Sequence, residues 1–150
     1  MPNLDHRIAR LQSSSVFHGL SRESLEQFAR LLTVEQTKAG TILMDMDMPG
    51  DKVYLIEQGR VRISRVTKYG DETTLNDLGP GEIVGELASL SGHVRSARVT
   101  VSEDATLLTL SGPEFEQLLM SNHEVSFNLL RELGSRLRKA NDNIVARLEE

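Results

Sequence analysis

The sequence predicts a mainly β chain with helices at both ends. Three observations carry this. From about Val34 to Ser111, glycines fall at positions 40, 50, 59, 70, 79, 81, 85 and 92, and short alternating or wholly apolar runs lie between them. Many short strands with regular turn signals are the pattern of an antiparallel sandwich or barrel. On either side of that region, over residues 4–32 and 113–150, apolar residues recur at helical spacing instead. The chain has 150 residues, 39% hydrophobic and 26% charged. That is enough for one soluble domain with its own core and too few for two ordinary ones.

Residues 4–32 read as two helices. Leu4, Ile8 and Leu11 form the first stripe, and Phe17, Gly19 and Leu20 form a break. Ser21 stands three residues before Ser24, with Glu23 and Glu26 following, which predicts Ser21 as an N-cap. Leu25, Phe28, Ala29, Leu31 and Leu32 supply the apolar face of that second helix. Strands follow over 34–111, with runs at Ile42–Met44, Val53–Ile56, Val61–Val66, Val99–Val101 and Leu107–Leu110. The stretch 84–99 reads strand, short helix, loop, strand: an apolar run ends at Val84, Gly85 follows, and Ser91-Gly92 breaks the helix before Arg95-Ser96-Ala97. Pro113 suits a first helical turn, with Glu114 and Glu116 near its positive dipole end and Phe115, Leu118 and Leu119 facing inward. After a second break at Ser121-Asn122-His123, Leu130, Leu133, Leu137, Ala140 and Ile144 step by 3 and 4, with Leu148 out of phase. The stripe is narrow and charged flanks, Arg131, Glu132, Arg136, Arg138, Lys139 and Asp142, border it, which favours a coiled-coil seam and a homodimer over a helix that packs its stripe on the β-roll.

The chemistry concentrates in 84–99. A helix starting near Gly85 offers unpaired backbone N–H groups and a positive dipole end to an anion. Gly85 has no Cβ, so a ligand can approach the backbone closely. Arg95 returns to the same neighbourhood with a planar fork that suits two oxygens of one phosphate. Glu86 would repel a phosphate but can accept from a sugar hydroxyl. Phosphate plus ribose points to a nucleotide.

These residues closely resemble the phosphate-binding cassette of cyclic nucleotide-binding domains, whose pattern is Gly-Glu-x-Ala-x-Leu, a short loop, then Arg-[Ser/Thr/Ala]-Ala-x-Val. The chain matches it at Gly85, Glu86, Ala88, Leu90, Arg95, Ser96, Ala97 and Val99. Phe17-x-Gly19-Leu20-Ser21-x-Glu23, Pro49-Gly50-Asp51-x-x-Tyr54-Leu55-Ile56-x-x-Gly59 and Leu78-Gly79-Pro80-Gly81-Glu82 extend the likeness along nearly the whole chain. The resemblance implies an eight-stranded antiparallel jelly-roll, or β-roll, with N-terminal helices, a short cassette helix and a long C-terminal helix, all in a single domain over 1–150. It implies that Arg95 grips the exocyclic phosphate oxygens and Glu86 the ribose 2′-hydroxyl. Backbone near Gly85, Leu87 and Ala88 would contact phosphate or ribose. Ser96 would add a donor, Ala97 would pack beside it, and Ile63 and Leu75 would line the base. Arg138, Asn141 and Asp142 are the alternatives for a cap from the last helix.

The expected ligand is cyclic AMP. Cyclic GMP stays open, because Ser96 has the hydroxyl but not the methyl of the threonine that favours it in relatives. The family likeness also implies dimerisation through the last helix and an effector protein that the sequence does not identify. Transcription factors of the family carry a helix-turn-helix domain beyond that helix, whereas here the chain stops at Glu150. A stand-alone receptor without specific DNA binding is therefore expected, and the net charge of −5 agrees. A structural or interaction module with the same fold and an unused nucleotide site is the alternative reading.

Composition and spacing exclude much else. With no cysteines, disulfides, iron–sulfur clusters and thiol switches are ruled out. No apolar run is long enough to span a bilayer, and no secretory leader is visible, so a cytoplasmic protein is expected. His6, His18, His93 and His123 share no metal-ligand spacing. Met44, Met46 and Met48 alternate as cuprous-ion ligands can, but read as gap-fillers in an edge or loop segment. Asp45 and Asp47 read as solvated loop residues. No catalytic set emerges, so neither enzyme activity nor a cofactor is expected.

Overall fold

The structure, a computed structural model, describes residues 4–48, 52–85 and 97–149. Helices α1 (Leu4–Gln12) and α2 (Arg22–Leu31) open the chain. The Ser21 hydroxyl accepts the Ser24 N–H at 3.2 Å, so the predicted cap forms. Ile8, Leu11, Leu25, Phe28 and Ala29 are buried, and the rings of Phe17 and Phe28 meet at 5.6 Å. Leu31, expected on that face, is exposed, because the helix turns it away from the core side.

Six strands follow: β1 (Thr33–Thr37), β2 (Ile42–Met44), β3 (Lys52–Val66), β4 (Glu72–Leu78), β5 (Ile83–Val84) and β6 (Arg98–Ser111). Strands β3 and β6 are long, antiparallel to each other, and bent. Their register shifts three times between Ile56 and Val61. Beyond the bend each pairs with different neighbours. One half runs β1, the end of β6, the start of β3, then β5. The other runs β2, the start of β6, the end of β3, then β4. Among the described residues, six strands thus make eight strand segments in two four-stranded halves, which is the jelly-roll. The predicted runs at Val53–Ile56 and Val61–Val66 belong to one strand, as do those at 99–101 and 107–110.

Gly59 makes the bend possible. Its φ is +88°, and a Cβ there would lie 2.4 Å from the Asp104 carbonyl oxygen on β6. Gly59 is therefore not the turn between two strands that sequence punctuation suggests. It is a kink inside one strand where another backbone comes close.

The apolar run Val53–Ile56 is buried on both faces, and this explains its lack of alternation. Val53 and Leu55 join Ile83, Leu108 and Leu110 in a core shared with the helices. Tyr54 and Ile56 join Val61, Leu78, Val84, Val99, Val101 and Leu107 in a second core inside the roll.

Helix α3 (Gly112–Ser121) starts on a capping box. Ser111 Oγ accepts the Glu114 N–H, and Glu114 Oε1 accepts the Ser111 N–H, both at 3.2 Å. Phe115 and Leu118 are buried and close the helix-side core. Asn122 ends α3 and caps α4 (His123–Leu148), accepting the Val125 N–H at 3.1 Å. Val125 and Leu129 dock α4 on the same core. Buried Asn128 donates to the carbonyls of Val16 and His18 at 2.9 and 3.0 Å, tying α4 to the loop before α2.

From residue 137 to its end at Leu148 the helix is exposed throughout. The exposed apolar line differs from the predicted stripe at two positions. Leu133 turns toward the helix-side core, and the exposed apolar line runs Phe127, Leu130, Leu137, Ile144, Leu148. Gly134 and Asn141 fill the intervening heptad positions, and Leu148 then falls in phase. Among the described residues no helix is long and apolar enough to cross a membrane.

Candidate functional site

Glu86, Leu87, Ala88, Arg95 and Ser96 lie outside the described residues, as does the expected short cassette helix. The frame around them is described. At the near end, β5 pairs Val84 with Tyr54 and Ile83 with Leu55. Val84 is buried in the inner core and Ile83 in the helix-side core, so this two-residue strand is held on both faces. Gly85 follows with φ +95°, a left-handed conformation that residues with a Cβ adopt only under strain.

At the far end, Ala97 is half-buried and β6 begins at Arg98. Val99, buried in the inner core, pairs with Ile63 on β3 and Met44 on β2. Residues 86–96 therefore link the β5 edge of one half of the roll to a central strand of the other.

The two apolar residues expected at the base come together on that second half. Ile63 is half-buried against the inner core and pairs with Asn76. The register then slips, since Ser64 pairs with Thr74. Leu75 is the unpaired residue of this irregularity, 53% exposed beside Ile63. Gly85 lies at the end of the other half. The pairing register thus puts Ile63 and Leu75 on adjacent strands of the second half, where Ala97 precedes β6, while Gly85 follows β5 in the other half.

Two side chains that sequence reasoning left out bind this frame. Arg136, counted there only among the charged flanks of the last helix, donates from Nη2 to the Ile83 carbonyl at 2.7 Å and pairs with Glu132 at 3.3 Å. It ties α4 to the strand that ends immediately before Gly85. Asp45, read as a solvated loop carboxylate, instead accepts from Arg98 Nε at 3.0 Å and from Nη2 at 3.4 Å. The Arg98 hydrogen bond, then the Met46 N–H, holds the Asp45 carboxyl below its ordinary value. A depressed carboxyl stabilises the fold above its ordinary value, and that contribution is lost as pH falls through the depressed one.

The methionines have separate structural roles. Met44 is buried in the inner core, Met46 Sδ accepts the Val66 N–H at 3.3 Å, and Met48 is exposed. Among the described residues no three His, Cys, Asp or Glu side chains cluster as metal ligands. Arg138, Asn141 and Asp142 all lie on the exposed part of α4.

A sequence model of the cyclic nucleotide-binding domain matches residues 34–122. The chain is 33% identical over 130 residues to the cyclic AMP receptor protein of Thermus thermophilus, covering 87% of this chain and 60% of that protein. A crystal structure of Thermus thermophilus catabolite activator protein superposes with a TM-score of 0.79 at 32% identity, over 89% of this chain and 62% of that one. A cyclic nucleotide-binding domain from Methylobacillus flagellatus superposes with a TM-score of 0.82 over 96% of this chain and 83% of that one; at 24% identity it speaks for the fold alone. The chain spans about three fifths of the length of the curated relatives it matches.

Proposed function

Because the chain belongs to the cyclic nucleotide-binding domain family, we propose that it is a non-catalytic receptor for a cyclic nucleotide, cyclic AMP foremost. One observation carries the reading: Gly85-Glu86-x-Ala88-x-Leu90 and Arg95-Ser96-Ala97-x-Val99 are intact, and both flanks of the segment are anchored in the core. Arg95 pairs with the cyclic phosphate, a monoanion that one guanidinium and a helix N-terminus can match. Glu86 accepts from the ribose 2′-hydroxyl, and Ile63 and Leu75 offer apolar surface to the base. Calorimetry with cyclic AMP and cyclic GMP tests this. Binding of neither refutes it.

Output passes through α4. Arg136 joins that helix to β5 next to Gly85, so a ligand that favours one placement of the cassette also favours one placement of the helix. The helix presents Leu130 and Leu137, 66% and 64% exposed, to a second copy of the chain. An effector protein then reads the helix geometry.

Two outcomes are expected. Glu86→Ala loses affinity for cyclic AMP by about 1.5–3 kcal/mol, the range for a hydrogen bond to a charged group. It changes affinity for 2′-deoxy cyclic AMP far less; equal losses for the two ligands would remove Glu86 from the ribose. Leu137→Asp puts a charge into the apolar seam, so light scattering shows a wild-type dimer and a variant monomer. A wild-type monomer at high micromolar concentration, with and without nucleotide, argues against the seam.

A further inference from the structure

Accepting the nucleotide-receptor reading above, we infer that Asp45 is a positioning residue for it. Through Arg98, Asp45 holds the end of the cassette from which Arg95 reaches the phosphate. Strand β2 is three residues long, and its last rung with β6 is Met44↔Val99. Among the described residues, no backbone pair on that side of β6 lies closer to the cassette. The Asp45–Arg98 contact takes the place of the next rung. On the other side, Ser64↔Arg98 is the last rung with β3.

The geometry is that of an oriented pair. Both Asp45 oxygens engage the guanidinium fork, and Oδ1 also accepts the Met46 N–H at 2.8 Å, which fixes the carboxylate to its own turn. That turn is itself tied to β3 by the Met46 Sδ contact to the Val66 N–H. Asp47 completes it in a left-handed conformation, φ 64°, which aspartate tolerates.

Both partners are partly exposed, with side chains 38% and 28% accessible, so the pair adds little to global stability. Its effect is local. Arg95 stands three residues before Arg98, and three residues reach at most about 10 Å, so restraining Arg98 confines Arg95. Confinement before binding lowers the ordering cost that binding would otherwise carry.

The test is a set of cyclic AMP titrations on the full chain. Asp45→Ala and Arg98→Ala each lose about tenfold in affinity, and the double variant loses no more than either single one. Melting temperatures stay within about 3 °C of wild type, as expected for an exposed pair. In an Arg95→Lys background the fork on the phosphate is gone, and the Asp45→Ala penalty shrinks to less than about threefold. General damage to the fold would not depend on residue 95. Wild-type affinity in Asp45→Ala, or the same penalty in both backgrounds, overturns the inference. A wild-type chain that binds neither cyclic nucleotide overturns the receptor reading instead. Amide exchange in ligand-free Asp45→Ala then judges the clamp alone: faster exchange at Val99 and Thr100 supports it, and unchanged protection rejects it.

Discussion

Gly59→Ala is expected to destabilise the fold by about 3–5 kcal/mol, combining left-handed strain with overpacking. A Cβ at this position would meet the Asp104 carbonyl oxygen at 2.4 Å and the Ala105 Cα at 2.7 Å. Neither contact is with a flexible side chain that can move aside. Relief requires separating β3 from β6 where both strands bend from one half of the roll into the other, and every other strand pairs with one of these two. Such a loss is a large share of a typical stability of about 5–15 kcal/mol. Gly70→Ala is the control. Its φ is also +88°, but nothing lies within 4 Å of the added carbon. It should cost only the conformational strain, about 1–2 kcal/mol. Urea denaturation of the two variants measures the difference. Equal midpoints would show that the close approach at Gly59 does not matter.

Arg95→Ala is expected to remove most cyclic nucleotide binding while leaving the fold intact. A charge-assisted contact to a phosphate is lost, and the anion is left without its partner, a loss of about 2–5 kcal/mol in affinity. At about 1.4 kcal/mol per factor of ten, that is roughly 30-fold to several thousand-fold. Calorimetry with cyclic AMP, alongside a melting curve, separates binding from folding. Near-wild-type affinity in a folded variant would defeat the cassette assignment. Together the two variants are expected to separate folding, read at Gly59, from nucleotide binding, read at Arg95.

What could be read from the chain alone was whatever is decided within a few residues. The Ser21 cap joins a hydroxyl to an N–H three residues on, and the Ser111–Glu114 capping box spans the same distance. Such contacts depend on local backbone geometry, so sequence spacing foretells them. The cassette was legible for a similar reason: its pattern lies within Gly85–Val99, with the residue types that phosphate and ribose chemistry require. The apolar run Val53–Ile56 was likewise legible as a strand, though not its burial on two faces or which face meets the helices.

Tertiary structure decided how distant segments meet. The predicted short runs fused into two long strands because each side of the bend found partners in a different half of the roll, a pairing that no local pattern encodes. Leu133 and Leu137 are both apolar and both on helical spacing, yet the core claims the first and leaves the second exposed. The choice depends on how α4 is rotated against α3 and the roll, and helical periodicity alone does not set that angle. Asp45 and Arg98 stand 53 residues apart, as do Ile83 and Arg136. Before folding, each charged member of these contacts is one more polar residue in a solvated segment. Only chain closure places it opposite its partner, and so the sequence determined the cassette's chemistry while the folded roll determined what anchors its flanks.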